Sequence, residues 1–221
     1  MALTAQFEKA LTLATRLHAT QTRKGSDIPY IAHLLGVASI ALDHGANEDE
    51  AIAALLHDAV EDQGGEKTLN HIRRRFGSTV ANIVWGCSDT DEIPKPPWRK
   101  RKEAYIAHIY SASPSIQLVS ASDKLHNARA ILSDYRWVGD QLWDRFTGGK
   151  DGTLWYYRAL VEAFRTSGTS PQLVADLDLV VSDIERLASK RVMHFPFRMI
   201  YVFAAGWIVG ELRDRLSRLF R

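Results

Sequence analysis

Apolar positions recur at helical spacing along most of the chain, and no segment shows the clear period-two alternation of a half-buried strand. From Thr4 to Ala19, Phe7, Ala10, Leu11, Ala14 and Leu17 recur at that spacing with polar residues between them, which predicts an amphipathic first helix. Thr22 to Tyr30 carries Gly25, Ser26 and Pro29 and reads as a loop. His33 then precedes the run Leu34, Leu35, Val37, Ala38, Ile40 and Ala41, a second helix that Gly45 ends as a C′ residue. Asn47 and Glu50 have the spacing of a capping box and open a third helix. Its stretch Ala51 to Leu56 is apolar nearly all round, the pattern of a helix buried in the centre of a bundle.

Beyond it, Thr68 is expected to cap a short helix through Phe76 and Ser78 another through Trp85. Ser88 to Pro97, acidic and then rich in proline, reads as a loop beside a site or at the surface. Trp98 opens a further helix. Pro114 and Ser115 precede a long one from Ile116 to about Tyr135. Trp137 to Gly152 reads as irregular, followed by helices from Thr153 to about Arg165 and from Pro171 through Leu187. The expected fold class is therefore all-α, a helical bundle over residues 1–190 with a C-terminal apolar and basic helical tail over 191–221. In that tail Met199 to Gly210 falls short of the ~18 to 20 apolar residues a membrane span needs. It is expected to pack on the body or on a second subunit in a homo-oligomer, with a membrane-surface helix as the minor reading.

Composition narrows the function classes. A chain of 221 residues is long enough for one substantial domain with an appendage. A net charge of +2 argues against a large nucleic-acid-binding surface, so no nucleic-acid partner is expected. The single cysteine, Cys87, excludes an intramolecular disulfide and a Cys-rich zinc site, and its apolar neighbours suit a small hydrophobe. Met1 to Glu8 lacks the features of a signal peptide, which makes cytoplasmic localisation the expectation.

The polar exceptions carry the chemistry. His57 and Asp58 end the fully apolar third helix, where polar groups are costly unless paired or bound to metal. Glu61 and Asp62 follow one turn later, and helical spacing puts His57 and Glu61 on one face. His33 and Asp123 each adjoin apolar runs of other helices, and Asp123, His126 and Asn127 share a face. Two imidazoles with two carboxylates suit a mid-series divalent metal such as Mn²⁺, Fe²⁺ or Zn²⁺. Glu61 and Asp62 could then orient and deprotonate water. The cations Arg99 to Lys102 oppose the dipole of the helix they open, which suits either a solvated face or a grip on anionic groups, with Lys102 the leading candidate. Lys150, between glycines, and Arg158 are further candidates for phosphate contact.

The pattern H…HD…D, built from His33, His57-Asp58 and Asp123, resembles the HD-domain superfamily of metal-dependent phosphohydrolases. Three longer elements resemble the hydrolase domains of the Rel/SpoT alarmone enzymes and their small single-domain relatives. They are Arg23-Lys24 before Pro29-Tyr30-Ile31-Ala32-His33, then His57-Asp58-Ala59-Val60-Glu61-Asp62, and Asp123-Lys124-Leu125-His126-Asn127. The resemblance implies removal of the 3′-pyrophosphate from guanosine tetra- or pentaphosphate, with Mn²⁺ as the usual metal. It implies His33, His57, Asp58 and Asp123 as ligands, and Glu61 and Asp62 as activators of water. Arg23 would pack on the guanine, and Lys24 and Asn127 would help hold the nucleotide. The stretch from Leu142 to Arg158 departs from the usual ending of the animal-type small hydrolases. An HD phosphohydrolase for another nucleotide or phosphate ester, and a non-catalytic binding module on the same fold, are the alternative readings.

Overall fold

The capping box forms as its spacing requires. Asn47 Oδ1 accepts from Glu50 N at 3.0 Å, and Glu50 Oε2 accepts from Asn47 N at 2.7 Å. The helix they start, α3 (Glu48–Leu56), buries every side chain from Ala51 to Leu56. Removing Ile52, Leu55 and Leu56 from water contributes about 1.5–3 kcal/mol for each. Around α3 pack α1 (Ala5–Leu17), α2 (Ile31–Asp43) and α5 (Gly65–Cys87), with the single turn α4 (Ala59–Asp62) leading into α5. The computed structural model describes residues 2–88 and 94–189, which contain helices and no β-strand beyond an isolated bridge between Thr22 and Pro29.

The two helices expected between Thr68 and Trp85 are halves of α5, broken at Gly77, whose φ of +92° is open to glycine and costly for other residues. Thr68 does not cap the first half. Its hydroxyl donates to Gln63 O at 2.5 Å, and the helix begins at Gly65, one turn earlier than read from the sequence.

The long helix α7 (Pro114–Val138) carries the site between two apolar clusters. Ser113 caps it and Pro114 occupies its first turn, where a missing N–H costs nothing. Val119 belongs to the cluster built by α1 to α5. Leu125, Ala128, Ile131 and Leu132 belong to a second cluster with α6 (Trp98–Ile109), α8 (Gly149–Thr166) and α9 (Pro171–Ser189). Buried Ser120, Ala121 and Ser122 keep the helix slim where both clusters meet, and Asp123 follows them.

Trp137 to Gly152 is more regular than its glycines suggested. The helix α7 runs to Val138, a 3-10 helix covers Gly139–Arg145, and α8 starts at Gly149. Leu142 and Trp143 anchor the 3-10 segment in the core, with the Trp143 ring 5.2 Å from that of Tyr135. Two of the expected phosphate contacts are used to dock α9 instead. Lys150 Nζ donates to Ala188 O at 2.6 Å, in the last turn of that helix. Arg158 donates to both carboxylate oxygens of Glu185, at 3.0 and 2.6 Å, and to Asp178 at 2.5 Å. Sequence supplied their charge but not the carboxylates that face them. Among the described residues no helix is long and apolar enough to cross a membrane. The tail over 191–221, with its Met199 to Gly210 run, lies outside the described residues.

The Arg158 network yields a signed prediction. Hydrogen bonding to Arg158 holds the Asp178 carboxyl below its ordinary range, with the Arg158 and Arg165 charges adding to the effect. A depressed carboxyl contributes stability that is present above the unfolded pKa of about 3.9 and lost as pH falls through the folded value. Arg158→Met should cost about 1 kcal/mol in urea denaturation at pH 7, a figure discounted for solvent screening of groups about one-third exposed. The gap between wild type and variant should narrow below about pH 4. An undiminished gap at pH 3 would assign the loss to packing alone.

Candidate active site

Three helices deliver four ligand-type side chains to one point. His33 comes from α2, His57 directly follows α3 with Asp58 beside it, and Asp123 comes from the middle of α7. His33 Nε2 lies 3.4 Å from Asp58 Oδ2 and 3.2 Å from Asp123 Oδ1. His57 Nε2 lies 3.0 Å from Asp58 Oδ2 and 3.6 Å from Asp123 Oδ1. His57 Nδ1 is 2.9 Å from Ala54 O and donates its proton there, which turns Nε2 toward the carboxylates. That Nε2 is buried and, although close to Asp58, has no aligned hydrogen-bond partner.

An unpartnered buried nitrogen among carboxylate oxygens is what a metal ligand looks like. Neighbouring ligands on a divalent ion with bonds of about 2.1 Å stand about 3 Å apart. His33, His57 and Asp58 each offer an atom within 4.8 Å of the others, and Asp123 Oδ1 faces both imidazoles. The donor set fits a divalent cation.

The surrounding groups fix this cluster. Tyr30 donates its hydroxyl to Asp58 Oδ2 at 2.7 Å. Asn127 Nδ2 donates to Asp123 Oδ1 and Lys124 Nζ to Asp123 Oδ2, each at 2.5 Å. Burial disfavours the charge on both carboxylates. The charge of His57 outweighs it at Asp58, and that of Lys124 outweighs it at Asp123, so both are held well below the usual carboxylate range. Burial also opposes the charge on Lys124, but Asp123 keeps it a cation. Tyr30 stays a neutral donor, because burial and then Asp58 push its hydroxyl up.

The stretch His57 to Asp62 is not one uninterrupted helix. The helix α3 ends at Leu56, and Asp58 takes φ −91° and ψ −6°, the bridge region frequent at active sites, before α4 begins. Glu61 Oε1 receives Lys95 Nζ at 2.9 Å. Asp62 Oδ2 receives Gln21 Nε2 at 2.8 Å, and Gln21 Oε1 in turn receives Gln63 Nε2 at 2.6 Å. Burial raises the Asp62 carboxyl; Gln21 opposes this, while Asp58 and Glu61 add to it. A carboxylate with a raised pKa is the stronger base near neutrality.

A cleft of about 620 Å³ opens beside the cluster, with His33 on its wall. Arg23, Lys24, Lys102 and Asn127, four of the expected nucleotide contacts, line it; Lys150 and Arg158 do not. Arg23 Nη2 donates to Asn127 Oδ1 at 2.7 Å. Lys102 Nζ stands 5.0 Å from the centre of the Tyr156 ring. Arg145 pairs with Asp134 at 2.9 Å and passes so close to Gly25 that a Cβ there would sit 2.9 Å from its Cδ.

Gln21, Tyr30, Lys95, Lys124, His126 and Arg145 were not assigned roles from sequence. Tyr30 had a signal, since it precedes His33 by three residues at the start of α2. Lys95 and Arg145 had none, because their partners are distant in the chain. Cys87 is no nucleophile: burial pushes its thiol up to about 11, and its sulfur accepts from Ser120.

A largely buried cluster of two histidines and two aspartates in a helical bundle fits an HD-type metal centre. The HD domain family model matches residues 10–154, and the chain belongs to that family. Among curated relatives, the guanosine-3′,5′-bis(diphosphate) 3′-pyrophosphohydrolase MESH1 of Xenopus tropicalis is 40% identical over 126 residues, 56% of this chain and 68% of that protein. The enzyme of Danio rerio with the same name is 36% identical over 131 residues, 58% of this chain and 70% of its own length. A guanosine-3′,5′-bis(diphosphate) 3′-pyrophosphohydrolase of Aquifex aeolicus is 31% identical over 126 residues, 18% of that longer protein. Among solved structures, a metazoan SpoT ortholog described as hydrolysing ppGpp superposes with a TM-score of 0.68 at 26% identity, covering 85% of this chain and 99% of that one.

Removing the donor that orients Asp58 should weaken the centre without emptying it. Tyr30→Phe is expected to lower metal affinity by about tenfold, the lower end for such orienting partners. Asp58→Ala should abolish metal retention. Calorimetric titration with Mn²⁺ checks both, and equal affinity of Tyr30→Phe and wild type would deny Tyr30 this role.

Proposed function

We propose that this chain is a metal-dependent phosphohydrolase that removes the 3′-pyrophosphate from guanosine tetra- or pentaphosphate. The products would be GDP or GTP and pyrophosphate. The reading is supported by the cluster of His33, His57, Asp58 and Asp123, by the carboxylates Glu61 and Asp62 one turn beyond Asp58, and by the cleft that His33 shares with Arg23, Lys24 and Lys102. A binding module has no need of a water-activating pair there. Kinship with enzymes named for this reaction supports the same substrate.

His33, His57, Asp58 and Asp123 would hold the ion, for which Mn²⁺ is our choice. A bound divalent ion supplies Lewis acidity that favours deprotonation of water and neutralises phosphoryl charge. Asp62, steadied by Gln21, accepts the proton of the attacking water, and Glu61 orients that water. The new O–P bond forms as the bond from phosphorus to the 3′ oxygen breaks, and that oxygen takes up a proton to become the 3′-hydroxyl. Arg23 offers a guanidinium plane for stacking on the purine. Lys24, Asn127 and Lys102 hold the sugar and phosphates from the cleft wall. The compartment that goes with this substrate is the cytoplasm.

The test is incubation of the purified full chain with Mn²⁺ and guanosine tetraphosphate, with products resolved by ion-exchange chromatography. Equimolar GDP and pyrophosphate are expected. Glu61→Ala should retain the metal and lose at least about a hundredfold in turnover. Cleavage of other nucleotides only would move the assignment to a different substrate. Equal metal loss in Glu61→Ala and Asp58→Ala would overturn the division of roles.

A further inference from the structure

His126 has no part in the chemistry above, yet its ring meets a metal-ligand candidate edge to edge. His126 Nδ1 lies 2.9 Å from His33 Nδ1, with the ring centroids 4.8 Å apart. His33 is almost fully buried, and its other nitrogen, Nε2, faces the Asp58 and Asp123 oxygens at 3.4 and 3.2 Å. The position of His126 depends on Gly36 of α2, where a Cβ would stand 2.2 Å from His126 Cδ2 and 2.3 Å from its Nε2. Only a bare backbone one turn beyond His33 lets the second imidazole come this close.

A hydrogen bond between two imidazole nitrogens holds one proton, so one ring must donate and the other accept. If His126 donates, a neutral His33 carries its own proton on Nε2, and that atom has no lone pair for a cation. If His33 donates from Nδ1, its Nε2 lone pair is directed at the cluster. His126 then accepts on Nδ1 and carries its proton on Nε2. Histidines that bind metal usually give this second proton to a carboxylate, a backbone carbonyl or water. His57 follows that habit through Ala54, whereas His33 turns to another imidazole.

We propose that His126 is a positioning residue of the metal centre: as the acceptor for His33 Nδ1–H, it sets the tautomer and ring orientation in which His33 Nε2 can bind the ion. The inference rests on His33 being a ligand, as in the proposed function, but not on the identity of the substrate. It also assigns a fixed protonation pattern to the pair, with His33 protonated on Nδ1 and His126 on Nε2 once the centre is loaded.

The test uses the full chain and Zn²⁺, a diamagnetic probe that N/O sites bind tightly. Zinc affinity is measured by competition with a chelating dye for wild type, His126→Leu and His126→Asn. Leucine removes the acceptor, and the asparagine oxygen can occupy the place of Nδ1. His126→Leu should bind about 10- to 100-fold more weakly, and His126→Asn should recover to within about threefold of wild type. Equal affinity of His126→Leu and wild type would overturn the proposal, and so would equal weakening in both variants, which would indicate packing alone. Nitrogen-15 NMR of the zinc-loaded wild type needs no variant. It should show the Nδ1–H form of His33 and the Nε2–H form of His126, and the reverse assignment would sink the idea. Failure of wild type to take up zinc would remove the metal reading and this inference together. Uptake with the wrong tautomers would remove this inference only.

Discussion

Burial of two carboxylates beside two imidazoles is the constraint on which the rest of this structure depends. Charges removed from water cost several kcal/mol each unless partners replace the solvent. Here the replacement is nearly complete: Tyr30 serves Asp58, and Asn127 and Lys124 serve Asp123. These partners occupy some lone pairs and leave His57 Nε2 without an aligned partner. Stability and function make opposite demands on this cluster, and a cation meets both. Its charge offsets the two carboxylates, and it gives the unpartnered nitrogen something to bind.

One segment of chain joins this centre to the cleft. Between α1 and α2, Gln21 holds Asp62, Arg23 holds Asn127, and Tyr30 holds Asp58. The bridge between Thr22 and Pro29 closes that segment into a hairpin-like loop, and Gly25 at its tip gives passage to the Arg145 side chain. On the proposed roles, the group that steadies the general base and the group offered to the purine are therefore two residues apart. A displacement of this loop would disturb the contacts to Asp62, Asn127 and Asp58 together, so these groups are coupled through short, local backbone.

What could be read from the sequence divides along physical lines. Periodicity and capping chemistry are local, and they located α1, α2, α3 and α9 to within a few residues. The cluster of candidate metal ligands was legible because a polar residue ending a fully apolar run has few low-energy explanations. The Gly77 break was also legible, although Thr68 was given a capping role that its neighbour Gln63 preempts. The 3-10 segment was not, since Leu142 and Trp143 are held by tertiary burial that outweighs the glycines around them. Lys150 and Arg158 show the same limit for charge. A sequence gives the sign of a side chain, while its direction depends on carboxylates and carbonyls brought by a helix twenty or more residues away.

The electrostatics of the cleft argue further about what it accepts. Among the described residues its lining holds five lysines and arginines against a single carboxylate, Asp134. Two of the cations are already answered, Lys124 by Asp123 and Arg145 by Asp134. Arg23 and Lys24, on the loop that also reaches Asp62 through Gln21, add positive charge to the cleft wall. Like charges in a low-dielectric wall repel, and a neutral or singly charged ligand would leave that repulsion in place while stripping the cations of water. A ligand with several phosphates relieves it. The cost of assembling the cleft thus becomes discrimination in favour of polyanions, and the rings of Tyr30, Trp98 and Tyr156 add apolar area to the same lining. On the proposed function, charge would select the phosphates and the rings the nucleoside, and the cluster beside His33 would act on whichever phosphoryl group that binding brings to it.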